Sequence, residues 1–203
     1  MRKSVVFICV DQWRWDCFGF MKHKNALTPN IDKLVEESTA FTSHFSGIVP
    51  CGPARTTMLT GLYPFIHRSV TNGAPLDKRF TNIAKESRNI GYDPKLYGYT
   101  DTSWDPRHLD PNDEKNFTYE SPMEGFDPVC HLPEGNPVLW AEYLNNNGFK
   151  INNPKDLYKN RQPLKGEGFV HKPYKIPTEH SDTSFLANQA IKDLKKISNP
   201  FFM

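Results

Sequence analysis

The sequence predicts an α/β fold: a doubly wound, mostly parallel sheet with helices on both faces. Three observations predict it. Residues 4–10 form an apolar, β-branched run, as expected of a strand covered on both faces. Helical and strand patterns then alternate as β, α, β, α, β as far as Tyr99. The closing residues Phe201-Phe202-Met203 read as the opening of one more buried strand.

Each element has a local cause. The first strand ends at Asp11, which places that carboxylate at the carboxyl edge of a parallel sheet. Thr28-Pro29 opens a helix, with Thr as N-cap and Pro at the first helical position, and Ile31, Leu34 and Val35 supply its apolar stripe. A strand is expected over Ala40 to Phe45. The next helix starts at Pro53 and ends at Gly61, a residue free to adopt the left-handed conformation of a helix C-terminus. Another runs from about Thr81 to Ile90, stops at Gly91 and leads across Pro94 to a strand at Lys95 to Tyr99. From Asp101 to Thr178 the periodicity breaks down and ten of the seventeen prolines occur, so this stretch reads as an irregular insertion. Phe185, Leu186, Ala190, Ile191, Leu194 and Ile197 then build one face of a helix beginning at Ser181, and Asn199-Pro200 ends it. A chain that stops as a strand enters its core is expected to be the amino-terminal part of a longer catalytic domain, with the carboxyl-terminal part absent.

Composition narrows the function classes. The 25 basic and 23 acidic residues form no long single-sign run, so neither a nucleic-acid footprint nor a polybasic membrane anchor is present in the pattern. The apolar start is halted at Asp11 with no small-residue cleavage site, which argues against a signal peptide and for a cytoplasmic protein. No stretch reads as a transmembrane span. Cys9, Cys17, Cys51 and Cys130 lack zinc-like spacing and read as reduced thiols.

The chemistry concentrates at Cys51-Gly52-Pro53-Ala54-Arg55. A cysteine just before a helix lies where free amides and the helix dipole favour anions, and Arg55 adds a planar fork for tetrahedral oxyanions. A thiolate nucleophile of lowered pKa and a buried structural cysteine are both compatible with that placement.

The run Cys51-Gly52-Pro53-Ala54-Arg55-Thr56-Thr57-Met58-Leu59-Thr60-Gly61 closely resembles the sulfatase signature. Leu27 to Leu34 looks like that family's first helix, and Gly61-Leu62-Tyr63-Pro64 with His67 resembles the segment after the signature. The resemblance implies an alkaline phosphatase-like fold. It also implies that a maturation enzyme oxidises Cys51 to formylglycine, whose hydrate attacks sulfur or phosphorus while a divalent cation assists. The second hydroxyl of the hydrate then expels the ester, so Cys51→Ser should stall after one turnover. Asp11 would be a metal ligand, together with the converted Cys51.

Asp11-Gln12-Trp13-Arg14 departs from the two adjacent Asp residues of many sulfatases and resembles the phosphonate monoester hydrolase and arylsulfatase branch, which makes Gln12 a neutral ligand. Calcium, manganese and zinc all remain open as the metal. By the same resemblance Asn72 would hydrogen-bond the substrate oxyanion, Tyr99 would stand where many sulfatases have a lysine, and His180 would protonate the leaving group. Read without the resemblance, Asn72-Gly73 is also a turn signal and His180 also a solvated cap. Asp101 stands where the family has His or Thr facing the anion, and a carboxylate there repels sulfate unless it meets a cation.

The expected function is therefore metal-dependent hydrolysis of sulfate monoesters, phosphonate monoesters or phosphate diesters, with a small anionic ester as substrate, a formylglycine-generating enzyme as partner and a homo-oligomeric full-length protein. The chain by itself is expected to be inactive. A non-catalytic binding protein that retains the fold is the alternative from another class.

Overall fold

The structure, a computed structural model, describes residues 2–118, 120–133, 135–158 and 175–203. They fall into two units: a larger one of residues 1–7 and 48–203, and a smaller one of residues 8–47.

In the smaller unit, helix α1 spans Pro29–Glu36. Thr28 precedes it without capping it. Its hydroxyl donates to Asp32 Oδ1 at 2.8 Å and accepts from the Gly19 amide at 2.8 Å, while Asp32 Oδ1 also accepts from the Phe20 amide at 3.0 Å. The side chain expected to satisfy the first helical amides is thus committed to tying the 19–20 turn onto α1. A Cβ on Gly19 would lie 2.1 Å from Asp32 Oδ2, so a side chain there would push the Asp32 carboxylate out of these bonds. The expected apolar stripe is not buried, and Leu34 remains 59% exposed. The expected strand over 40–45 is absent among the described residues; the segment holds a turn, its backbone makes no ladder bonds, and Phe41 and Phe45 are exposed. Pattern alone cannot make a strand without a partner to receive its amides.

In the larger unit, helices α2 (Cys51–Thr60), α3 (Pro64–His67) and α4 (Ile83–Asn89) precede strand β1 (Lys95–Gly98). Strand β2 (Asp127–His131), helix α5 (Val138–Asn146) and helix α6 (Asp182–Leu194) follow. Strands β1 and β2 pair in parallel, with Gly98 opposite His131. The ladder continues in single rungs. Lys95 N donates to Phe202 O at 2.9 Å, and Val5 N and Phe7 N donate to Phe201 O and Met203 O at 2.7 and 2.8 Å. Val5 and Phe202 form a parallel bridge. The segments read as first and last strands lie beside each other, but as isolated rungs. Beyond Phe7 the run has no further rung among the described residues, and Ile8 and Val10 are exposed.

The core lies between β1–β2 and helices α5 and α6. Its buried members are Cys130, Leu132, Trp140, Ala141, Leu144, Leu157 and Phe185. All but Phe185 come from the proline-rich stretch that reads as an insertion, so part of that stretch carries core. The remainder of it at 159–174 lies outside the described residues. Burial and the hydrogen bond to Asp193 push the Tyr97 phenol well above its ordinary range, and Tyr97 Oη donates to Asp193 Oδ2 at 2.8 Å, tying β1 to α6. Helix α4 is capped by Asn82, whose Oδ1 accepts from Ala84 N and Lys85 N and whose Nδ2 donates to Glu124 O at 2.9 Å. No helix of the described residues is long and apolar enough to cross a membrane.

Candidate active site

Helix α2 opens on Cys51 itself, with Pro50 as its N-cap, two residues earlier than the pattern predicts, and Gly61 closes it at φ 70. Three threonines would weaken a helix by competing for its backbone. Here each hydroxyl donates one turn back: Thr56 to Gly52 O, Thr57 to Pro53 O and Thr60 to Thr56 O. Their methyl faces are thereby free to pack, and Thr56 is fully buried.

The opening turn is held from outside the helix by Asn72. Its Nδ2 donates to Cys51 Sγ at 3.1 Å, and its Oδ1 accepts from Gly52 N at 2.9 Å. Both ends of the carboxamide are thus assigned by their partners. A consequence corrects the expectation of a helix-terminal anion cradle: the Gly52 amide is given to Asn72, and Pro53 has no amide to offer. Gly52 is required by close approach, because a Cβ there would meet Asp101 O at 2.8 Å and Asn72 Cα at 2.9 Å.

Arg55, one turn along α2, donates from Nη1 to Tyr99 O at 3.0 Å and places its guanidinium 4.7 Å from the centre of the Tyr99 ring. It fixes the segment that leaves β1. Two residues on, Asp101 takes φ 58 and is 3% exposed, and its carbonyl accepts from Gly73 N at 3.3 Å. Its Oδ2 is buried with no hydrogen-bond partner among the described residues. Cys51, Arg55, Asn72, Tyr99 and Asp101 therefore belong to one continuous set of contacts.

His67 braces the same helix from α3. The Ser69 amide donates to His67 Nδ1 at 3.0 Å, which leaves the ring proton on Nε2 to reach Thr57 Oγ1 at 2.9 Å. Burial holds this imidazole below its ordinary pKa, so the neutral form is the one the structure keeps. The sequence places His67 only in the segment after the signature; the bond to Thr57 is a signal that the folded geometry supplies.

His180 is held by a different set. Tyr143 Oη lies 2.8 Å from its Nδ1, Trp140 Nε1 donates to its carbonyl at 2.8 Å, and the Phe149 ring meets it edge-on at 5.2 Å. It precedes α6, whose cap is Ser181.

Asp11 and Gln12 belong to the smaller unit, in a turn where Gln12 has φ 55. Among the described residues, no three of His, Cys, Asp and Glu gather as a metal cluster. The Asp11 carboxylate and the Gln12 amide oxygen are nonetheless donors of the type a hard cation takes.

Comparison with known proteins gives the family and the fold. Residues 3–203 match the family model described as Sulfatase. The whole chain is 39% identical to a multifunctional alkaline phosphatase superfamily protein, PehA, of Trinickia caryophylli, and covers 40% of it. Among solved structures, the phosphonate monoester hydrolase of Agrobacterium radiobacter superposes with a TM-score of 0.89 at 39% identity, over 99% of this chain and 40% of that one. The phosphonate monoester hydrolase of Silicibacter pomeroyi superposes with a TM-score of 0.87 at 36% identity, over 100% of this chain and 40% of that one. The chain thus spans about two fifths of the length of these relatives and has their alkaline phosphatase-like α/β fold over that span.

Proposed function

Because the chain belongs to the sulfatase family, we propose that it carries the nucleophile of a hydrolase acting on sulfate monoesters, phosphonate monoesters or phosphate diesters. The observation that carries the reading is the Asn72 clamp on Cys51 and Gly52, which fixes one side-chain rotamer of the residue that must attack. A nucleophile held in one geometry loses less freedom on the way to the transition state. The likeness to two phosphonate monoester hydrolases supports a small anionic ester, a phosphonate monoester among them, as the substrate.

Oxidation of Cys51 by a maturation enzyme supplies a hydrated aldehyde, whose paired hydroxyls allow both attack and release. Asp11, Gln12 and the converted Cys51 would hold a divalent cation, calcium or manganese or zinc, which supplies charge neutralisation for an anionic ester. The remaining work falls to other side chains. Asn72 Nδ2 holds the attacking side chain, and moves to the substrate oxyanion as that side chain shifts. Arg55 keeps Tyr99 and its carbonyl in place, so the phenol is presented at the carboxyl edge of β1. His180, oriented at Nδ1 by Tyr143 Oη, would as the imidazolium give its Nε2 proton to the departing alkoxide or phenolate and be left as neutral imidazole.

Turnover of aryl phosphonate and aryl sulfate esters by the matured protein, compared with Cys51→Ser, tests this reading. The variant is expected to release one equivalent of phenol and then stop, because a serine ester lacks the second hydroxyl. Steady multiple turnover by Cys51→Ser would count against it.

A further inference from the structure

We propose that Asn72-Gly73 is a deamidation site held closed by the Cys51 turn, and that its opening turns the residue clamping Cys51 into a carboxylate. The chain contains two Asn-Gly pairs, Asn72-Gly73 and Asn147-Gly148. Asparagine is thermolabile in such a pair, because glycine has no side chain to shield its own amide nitrogen. The Gly73 nitrogen attacks Asn72 Cγ and a C–N bond forms. The Cγ–Nδ2 bond breaks, and ammonia leaves with the proton that the Gly73 nitrogen gives up. Water then opens the cyclic imide at one carbonyl or the other, which yields aspartate or isoaspartate without any oxidant or reductant.

The two pairs are held differently. Asn72 has both ends of its carboxamide engaged: Nδ2 donates to Cys51 Sγ at 3.1 Å and Oδ1 accepts from Gly52 N at 2.9 Å. Gly73 N donates to Asp101 O at 3.3 Å. The electron pair exposed when that proton leaves points along the same line, toward Asp101 O and not toward Cγ. Attack therefore waits on a local opening that breaks this bond and frees the carboxamide. Asn147 is exposed at the end of α5, and Gly148 N is likewise bonded, to Asn145 O at 3.1 Å. Its carboxamide, however, is bonded among the described residues only through Nδ2, to Tyr143 O at 2.8 Å. The pairs thus differ in the hold on the side chain, and the second is a reference for the first.

The consequence falls on Cys51. An aspartate in place of Asn72 keeps an acceptor for Gly52 N, has no donor for Sγ, and sets a negative charge where an anionic ester must approach. Isoaspartate also inserts a carbon into the main chain ahead of Gly73, which moves Gly73 N relative to Asp101 O. Loss of turnover on deamidation rests on the hydrolase reading; the reaction and its control by the Cys51 turn do not.

The test is peptide mapping by mass spectrometry of the full chain with Cys51 unoxidised, incubated in mildly alkaline buffer, folded and in denaturant. Wild type, Cys51→Ala and Cys51→Ser are compared, and both Asn-Gly peptides are scored for the amide-to-acid mass gain and for isoaspartate. In denaturant Asn72 and Asn147 should react at similar rates. In folded wild type Asn72 should be slowed by at least about tenfold against denaturant, and Asn147 by less. Cys51→Ala should speed Asn72 several-fold while the Asn147 rate stays at its folded value, and Cys51→Ser, which keeps an acceptor for Nδ2, should restore the slow rate. Asn72 reacting as fast as Asn147 in folded wild type, or not reacting in denaturant, overturns the proposal. So does an equal Asn72 rate in wild type and folded Cys51→Ala. If Cys51→Ala fails to fold, the ratio of the two sites in wild type decides. Matured protein that is deamidated at Asn72 and still turns over ester at full rate upholds the modification and removes Asn72 from the hydrolase reading.

Discussion

Asn72 and Cys51 are joined side chain to side chain, Nδ2 to Sγ at 3.1 Å, while the other end of the same carboxamide accepts the Gly52 amide at 2.9 Å. One residue thus sets both the direction of the nucleophile and the start of the helix that carries it. Asn72→Asp separates the two tasks, since it keeps an acceptor for Gly52 and loses the donor to the nucleophile. In the matured protein it should lower kcat by about 100-fold while the melting temperature stays close to wild type, as expected when only the attack geometry is lost. Steady-state kinetics and a thermal melt on the same preparation check it.

Gly52→Ala addresses the packing beneath that pair. The added methyl meets backbone atoms of Asp101 and Asn72 at under 3.0 Å, and neither can rotate away. Denaturant unfolding should show a loss of about 1–3 kcal/mol, the usual cost of overpacking a closed site.

The His67 brace gives an acid sensitivity of defined sign. Burial lowers its folded pKa below the ordinary value of 6.5, so the unfolded chain takes up the proton first as pH falls. Its contribution to stability is complete above about pH 6.5 and is lost progressively as pH drops from there through the lower folded value. His67→Asn retains an acceptor for the Ser69 amide without a titrating ring. Melting temperature measured across about pH 5 to 8 should fall less steeply toward acid in His67→Asn than in wild type.

His180 and Tyr143 predict a dependence on the leaving group. If His180 Nε2 supplies the proton, His180→Ala should slow esters of alcohols and unactivated phenols by roughly 100- to 10,000-fold and spare nitrophenyl esters, whose anions leave unaided. Tyr143→Phe should do the same to a smaller degree, because the imidazole keeps its place through Trp140 and Phe149 but loses the bond at Nδ1. Rates across a series of leaving-group pKa values measure both.

Much of this architecture is legible in the sequence, for identifiable reasons. Gly61 marks the end of α2 by closing it in the left-handed region, and the runs at 4–10 and 201–203 are legible because each is apolar; the structure bonds them to each other and bonds Phe202 also to Lys95 of β1. Strand β2 and helix α5 are not legible. Pro128 interrupts the first and Pro137 abuts the second, so local punctuation hides apolar residues, Cys130 and Trp140 among them, that tertiary burial organises. In the site, Cys51 and Arg55 are marked by a contiguous motif. The roles of Asn72 and Asp101 depend on contacts across twenty residues and more, which no local pattern records.

The central claim, that Cys51 is the precursor of the nucleophile, meets its most direct test in mass spectrometry of the Cys51 peptide from protein that is turning over ester. The account predicts that the peptide carries an aldehyde, lighter than the thiol form by the exchange of a thiol and a hydrogen for an oxo group, in proportion to activity. Full activity in protein whose Cys51 remains an unmodified thiol would contradict it.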